Sequence, residues 1–418
     1  MGSCVATFGW SDPGGVKMRV LCLGAGGVGT SAALIAARRT YFDAWVIADY
    51  DLGRSLQLAD RVGDPRFTAV QVDASDETEI IRLIEIHQVT HVLNLLDPRY
   101  VMPIFRACLV SRVNYLDTAM SLSRPNASSP FTQTGVKLGD EQFELASDWE
   151  RAGILALCGM GVEPGLADVF ARYASDHLFS EIDEIGIRDG ANLNVEGYDF
   201  APTFSIWTTI EECLNPPVIW EKDKGWYTTE PFSGAEVFDF PEGIGPQECV
   251  NVEHEEVLLV PRWIECKKVT FKYGLGQEFI DILKTLHKLN LDSTRELNVK
   301  GVIVSARDVV AAALPDPLTL GDRMSGKTCA GTWITGTGKD GQPREVYLYH
   351  VTDNDWSMKE YGTQAVTWQT AMNPVIALEL LATEVWSGAG VLGPEAFDAV
   401  PYLELMSSGY GQEFGMRE

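Results

Sequence analysis

The stretch Met18-Arg19-Val20-Leu21-Cys22-Leu23-Gly24-Ala25-Gly26-Gly27-Val28-Gly29-Thr30-Ser31-Ala32-Ala33-Leu34-Ile35-Ala36-Ala37 runs from an apolar segment through a glycine-rich turn into alanine-rich text. Its first six residues predict a short buried strand. The alanines after the turn predict a helix. A second strand, predicted over 44–48, ends at Asp49, and 49 − 29 = 20 residues separate that acid from the last glycine. Strand, Gly-x-Gly-x-x-Gly, helix and an acid at that distance form a dinucleotide-binding fingerprint. Gly24 permits the tight turn, Gly26 lets the backbone approach a pyrophosphate, and Gly29 lets helix and strand pack closely. Gly27 and Val28 lie where the helix N-terminus faces phosphate charge. The alternative is a plain glycine-rich turn.

Asp49 is placed to accept hydrogen bonds from ribose hydroxyls, which favours NAD. Arg54 is near enough in sequence to meet a 2′-phosphate, so NADP stays open. Asp73-Ala74, after a third predicted strand over 67–72, is expected beside the adenine or, alternatively, at a helix start.

Working outward, helices are predicted over 77–87 and 100–110, and strands over 92–96 and 114–117. This alternation predicts an α/β fold, a Rossmann-type doubly wound parallel sheet spanning 18–165. Asp117-Thr118-Ala119 falls at the carboxyl end of a strand, where open parallel sheets bind ligands. Residues 121–139 read as a loop, 141–152 as a helix and 154–158 as a strand. Gly161, Val162 and Pro164 then precede a helix over 166–177, with Pro164 expected in its first turn. That helix start would offer free amides to a nicotinamide or a substrate carboxylate; the alternative is a rigid hinge.

From 182 to 350 the text is richer in Trp, Tyr, Thr and Val. It predicts a second α+β domain, over 166–360, with a mixed or antiparallel sheet. That sheet would include a hairpin of 328–335 with 345–351, and a helix is predicted over 279–289. Residues 361–418 are expected to return to the first domain, with Asn373-Pro374 capping a helix over 375–386. Residues 1–17 read as a flexible tail.

The composition narrows the partners. The 418 residues carry 33 Lys and Arg against 59 Asp and Glu, a net charge of −26. Such a chain repels nucleic acid and anionic membranes and draws cationic ligands. The plainer alternative is that the charge only keeps it soluble. No apolar run reaches the ~18 residues of a membrane helix. The eight cysteines show no C-x-x-C spacing, so no metal site is expected and a cytoplasmic protein is. A homodimer is also expected.

Five stretches stand out together: Leu23 to Gly29, Val72-Asp73-Ala74, Tyr115-Leu116-Asp117-Thr118-Ala119, Gly159-Met160-Gly161-Val162-Glu163-Pro164-Gly165-Leu166 and Gly388-Ala389-Gly390-Val391-Leu392-Gly393-Pro394-Glu395. In these the chain resembles the saccharopine dehydrogenase family. The resemblance implies a cofactor cleft between two domains. It also implies reversible hydride transfer between a nicotinamide and a carbon–nitrogen bond of an amino acid or polyamine: lysine, a saccharopine-like adduct or a carboxynorspermidine-like one. Val252-Glu253-His254-Glu255-Glu256 looks like a segment of the carboxynorspermidine branch.

Such chemistry needs a proton donor or acceptor at nitrogen. His254, flanked by carboxylates that would hold its tautomer, is the candidate, with Glu255 and Asp117 beside it as catalytic residues. A solvated acidic turn is the alternative. Glu255 and Glu256 could receive an ammonium, and Arg188, Arg262 and Lys272 a carboxylate, unless these charges are merely at the surface. Trp207, Trp226 and Trp263 could wall a cation site or pack in the core. Two other functions stay open: a homospermidine-synthase-like transferase with internally recycled NAD, and a dinucleotide-binding sensor without turnover.

Overall fold

The computed structural model describes residues 18–418, so the expected tail over 1–17 lies outside the described residues. Six parallel strands are β1 (Met18–Leu23), β2 (Phe42–Asp49), β3 (Phe67–Gln71), β4 (His91–Asn94), β5 (Asn114–Asp117) and β6 (Leu155–Leu157). They join a seventh, Gly390–Leu392, in the order Gly390–Leu392, β6, β5, β4, β1, β2, β3. Apart from the edge strand β3, their apolar runs are buried on both faces, as parallel strands covered by helices must be. The order reverses between β1 and β4, and the crevice beyond the carboxyl ends of the strands is where this architecture takes ligands.

The second sheet has nine strands. Its centre is β7 (Phe179–Ala191), antiparallel to Lys327–Gly338 and parallel to Lys268–Gly274. Lys327–Gly338 pairs with Pro343–Asp353 as the predicted hairpin, longer at both ends than the sequence suggested. The sheet is therefore mixed.

The C-terminal return ties both sheets. Gly390–Leu392 extends the first sheet beside β6, and Gly415–Arg417 extends the second beside Pro343–Asp353. Helix Ala365–Ala382 packs on the helix that opens at the glycine turn, α1 (Gly27–Ala36).

Three local expectations are corrected. Pro374 lies inside Ala365–Ala382 rather than at a helix start. Proline removes one backbone bond there, but Asn373 is fully buried and its Oδ1 accepts from Tyr402 at 2.6 Å, so tertiary contacts hold the helix through. The helix expected over 141–152 is two pieces, Asp140–Glu144 and Ala146–Ala152, and the first turns Gln142 inward. Pro164 stands outside helix Leu166–His177, because Gly165 occupies the cap at φ 133° and Asp168 Oδ2 takes its amide at 2.7 Å.

Candidate active site

Between the two sheets lies a cleft of about 660 Å³. Gly24, Gly26, Gly27, Val28 and Asp49 line it from the first sheet. The steric demands on the glycines differ. A Cβ at Gly29 would collide with the Gly24 carbonyl oxygen, so strand and helix meet only because that residue is glycine. A Cβ at Gly26 would meet nothing within 4 Å, which leaves its backbone open to the cleft. Asp49 Oδ2 accepts from the Ala25 amide at 2.8 Å and so ties the end of β2 to the turn. These features fit a dinucleotide: bare amides at a helix N-terminus for the pyrophosphate and an acid at the ribose position.

Asp117 does not reach the cleft. It is 1% exposed, its Oδ1 accepts from Gly159 at 2.7 Å and its Oδ2 from Gln142 at 2.9 Å. Burial pushes its pKa up to about 7, against the lowering effect of those hydrogen bonds. Asp117 thus braces the knot at 159–165, and the next residues, Thr118 and Ala119, line the cleft. Val162 and Pro164 line it too, whereas Gly161 is buried beneath them, bridged to Gly165. Gly29 lies behind the wall, and Asp73 and Ala74 lie outside the cleft lining. Asp73 instead accepts from Ser75, the geometry of a turn.

The acidic segment is buried. Glu253, His254, Glu255 and Glu256 are 4%, 5%, 4% and 0% exposed, so the solvated-turn alternative fails. His254 stacks flat on Phe271, centroids 3.8 Å apart at 4°. Its Nδ1 meets Glu256 Oε2 at 2.6 Å and Glu255 Oε2 at 3.5 Å. Nε2 has no hydrogen-bond partner among the described residues, and His254 lines the cleft. A carboxylate on one ring nitrogen fixes the tautomer and leaves the other for chemistry. Glu255 also lines the cleft, and its Oε1 accepts from the Met120 amide at 3.1 Å, which ties the helix after His254 to the loop after β5.

Five further acids that sequence reasoning missed reach the cleft: Asp97 and Asp316, each ion-paired with an arginine, and a group of three, Glu163, Asp189 and Glu212. Burial raises all three, Asp189 to about 7 and Glu212 to about 8, and Glu163 is lifted further by the charge of Asp189. Glu163 lay within a quoted motif, but neither Asp189 in β7 nor Glu212 in helix Ile206–Leu214 carries a local signal. Among the lining residues Arg54 and His254 are the only basic side chains. Arg188, Arg262 and Lys272 do not line the cleft. Arg188 is 2% exposed and pairs with Glu236 at 2.5 Å, so it is neither a surface charge nor a cleft residue. Lys272 shares Glu236, and Arg262 lies over the Phe143 ring. Trp207 does line the cleft.

The saccharopine dehydrogenase NADP binding domain matches residues 20–157, and the saccharopine dehydrogenase C-terminal domain matches residues 161–411. The chain belongs to the saccharopine dehydrogenase family. It is 31% identical over 401 residues to a carboxynorspermidine synthase of Vibrio alginolyticus, covering 94% of this chain and 95% of that protein. It is 28% identical over 392 residues to a carboxyaminopropylagmatine dehydrogenase of Synechocystis, covering 92% and 94%. The apo saccharopine dehydrogenase (L-Glu forming) of Saccharomyces cerevisiae shares the fold, with a TM-score of 0.66 at 13% identity over 96% of this chain and 99% of that one. As a member of this family the protein is an oxidoreductase that uses a nicotinamide dinucleotide.

Proposed function

We propose that the protein reduces the C=N bond formed between an amine and a carbonyl compound, and that the amine bears a second cationic group. The observation that carries this is the convergence of Glu163, Asp189 and Glu212 on the cleft that also holds His254. Buried carboxyls without cationic partners are poorly solvated, and an ammonium or guanidinium entering among them supplies the missing charge. The names of the relatives, carboxynorspermidine synthase and carboxyaminopropylagmatine dehydrogenase, support the polyamine class.

When bound, the nicotinamide supplies the hydride. The protein's own contribution is to bind, orient and protonate. Asp49 and the amides at Gly26 to Val28 hold the dinucleotide. Glu256 orients the His254 ring, so that Nε2 gives its proton to the substrate nitrogen as C=N becomes CH–NH. Asp117 holds the knot that carries Val162 and Pro164, which makes it a positioning residue. Charged groups converging from both sheets fit turnover better than a sensor's role.

NAD is proposed over NADP. Asp49 supports this by its place at the end of β2, and Arg54 faces Asp316 at 3.7 Å, a partner a 2′-phosphate would have to displace. A cytoplasmic homodimer is proposed too. The seven described cysteines are all free, which suits a reducing compartment, and no described helix is long and apolar enough to cross a membrane. Exposed Val299, Val302 and Ile303 on one hairpin offer an apolar face for self-association, checked by sedimentation.

The test is spectrophotometric. NADH or NADPH oxidation is followed with aspartate semialdehyde as the carbonyl partner and a series of amines. Diamines are expected to outpace monoamines of equal length, and silence with every amine sinks the reading.

A further inference from the structure

Three carboxyl groups that do not line the cleft are sealed behind His254. Glu256 opens helix Glu256–Trp263, Asp168 stands in the first turn of Leu166–His177, and Glu395 lies in the turn Pro394–Ala396 of the C-terminal return. All three are 0% exposed. Glu256 Oε2 meets His254 Nδ1 at 2.6 Å, and Asp168 Oδ2 accepts from the Gly165 amide at 2.7 Å. The remaining oxygens, Glu256 Oε1, Asp168 Oδ1 and both of Glu395, meet no N–H or O–H donor among the described residues. Helix Leu166–His177 packs on the turn Pro394–Ala396, which brings the Asp168 and Glu395 side chains into interaction. Two buried carboxylates side by side, with the Gly165 amide as their one N–H donor among the described residues, cannot both be ionised. A carboxylic proton on one is the donor that the other lacks.

We propose that Asp168 and Glu395 hold one proton between them and act as a positioning pair, whose single remaining charge is felt by Glu256 and, through it, by the His254 ring. The pair touches neither substrate nor cofactor; it acts through Glu256. Burial, together with mutual repulsion, raises both members of the pair and Glu256. Other charged groups also act on the dyad. Glu212 and Glu255 face His254, Glu163 and Asp189 act on Glu256, and Glu253 and Asp117 act through Glu212 and Glu255. Arg262 and Cys158 flank the far side. Of these, Arg262 acts on Glu395 itself and is present in both variants tested below. The pair also explains why the C-terminal return bears on the chemistry: it carries one half of a shared proton to the back of the site. The proposal rests on His254 as the proton donor of the proposed reaction.

The test uses the full chain with Glu395→Gln and Glu395→Leu, and does not depend on turnover. Gln keeps a donor for Asp168, which then stays ionised, so the local charge is unchanged. Leu removes the donor, and Asp168 must take a proton itself. At neutral pH the ring-nitrogen resonances of His254 in histidine-labelled protein are expected to shift in the Leu variant and to stay near their native positions in the Gln variant. Infrared spectroscopy at neutral pH is expected to lose one protonated-carboxyl band in the Gln variant. If Leu fails to fold, that band decides: an unchanged spectrum overturns the shared proton. Equal shifts in both variants, or none in Leu, overturn the coupling to His254. Absence of amine turnover alone would count against the proposed function and leave the two spectroscopic outcomes to judge this one.

Discussion

Thr367 stands directly against Gly27: a Cβ built on Gly27 would come within 2.7 Å of the Thr367 methyl, although 367 − 27 = 340 residues separate them. The glycine turn is thus shaped from outside as well as by its own backbone. Ser31 joins the contact, with its hydroxyl 3.3 Å from that of Thr367.

Gly26 and Gly29 should separate on substitution. Gly29→Ala forces a methyl into the Gly24 carbonyl and is expected to destabilise by ~1–3 kcal/mol, read from denaturant melts. Gly26→Ala has room in the free protein and should melt within ~0.5 kcal/mol of native. Its methyl would obstruct the phosphate approach, so dinucleotide affinity should fall at least about tenfold by calorimetry. Equal affinity in Gly26→Ala would remove the pyrophosphate from this turn.

His254→Asn should lower kcat by roughly 100-fold or more, with a smaller change in KM, because proton transfer is lost while the cleft keeps its shape. Glu256→Gln keeps a partner at Nδ1 but not its charge, and should fall between native and His254→Asn. Native kcat in His254→Asn would assign the proton to another group.

Amine selectivity should follow the missed acids. Asp189→Asn is expected to weaken a diamine by about tenfold and a monoamine of equal length by much less, read as separate KM values. A loss shared equally by both amines would place the second cation elsewhere.

Stability should fall as pH rises. Asp117 and Asp189 are raised to about 7, and Glu212 and Glu253 to about 8, each chiefly by burial. A carboxyl whose folded pKa is raised binds its proton more tightly in the folded state. The stability it gains is therefore present at low pH, falls away as pH climbs from the ordinary carboxylate range towards 7 or 8, and is gone above that. For these four groups Tm should decline across that window, and a bound diamine should restore more of it at the alkaline end. A Tm that rises steadily to pH 8 would show other groups dominating.

Tyr402→Phe removes the 2.6 Å hydrogen bond to Asn373 and strands a buried acceptor. It should cost about 1–3 kcal/mol in a denaturant melt with little effect on kcat. A neutral result would mean that helix Ala365–Ala382 does not need this tie around Pro374.

Elements whose demands are local can be read from neighbouring residues alone. Gly24, Gly26, Gly29 and Asp49 were legible because a tight turn, a close backbone approach and a strand-end acid are properties of neighbouring residues. The alternation that built the parallel sheet, and the hairpin of the second sheet, were legible for the same reason. The rest depends on contacts between distant parts of the chain. Pro374 reads locally as a helix start and sits mid-helix because surrounding side chains hold it. Asp117 reads as a ligand at a strand end and proves to be a brace, because Gln142 and the Gly159 amide fold back onto it. Glu163, Asp189, Glu212 and Glu395 look like ordinary solvated charges in one dimension. Their protonation is set by burial and by which other carboxyls they face, and those depend on elements that meet only when the two sheets and the C-terminal return close together.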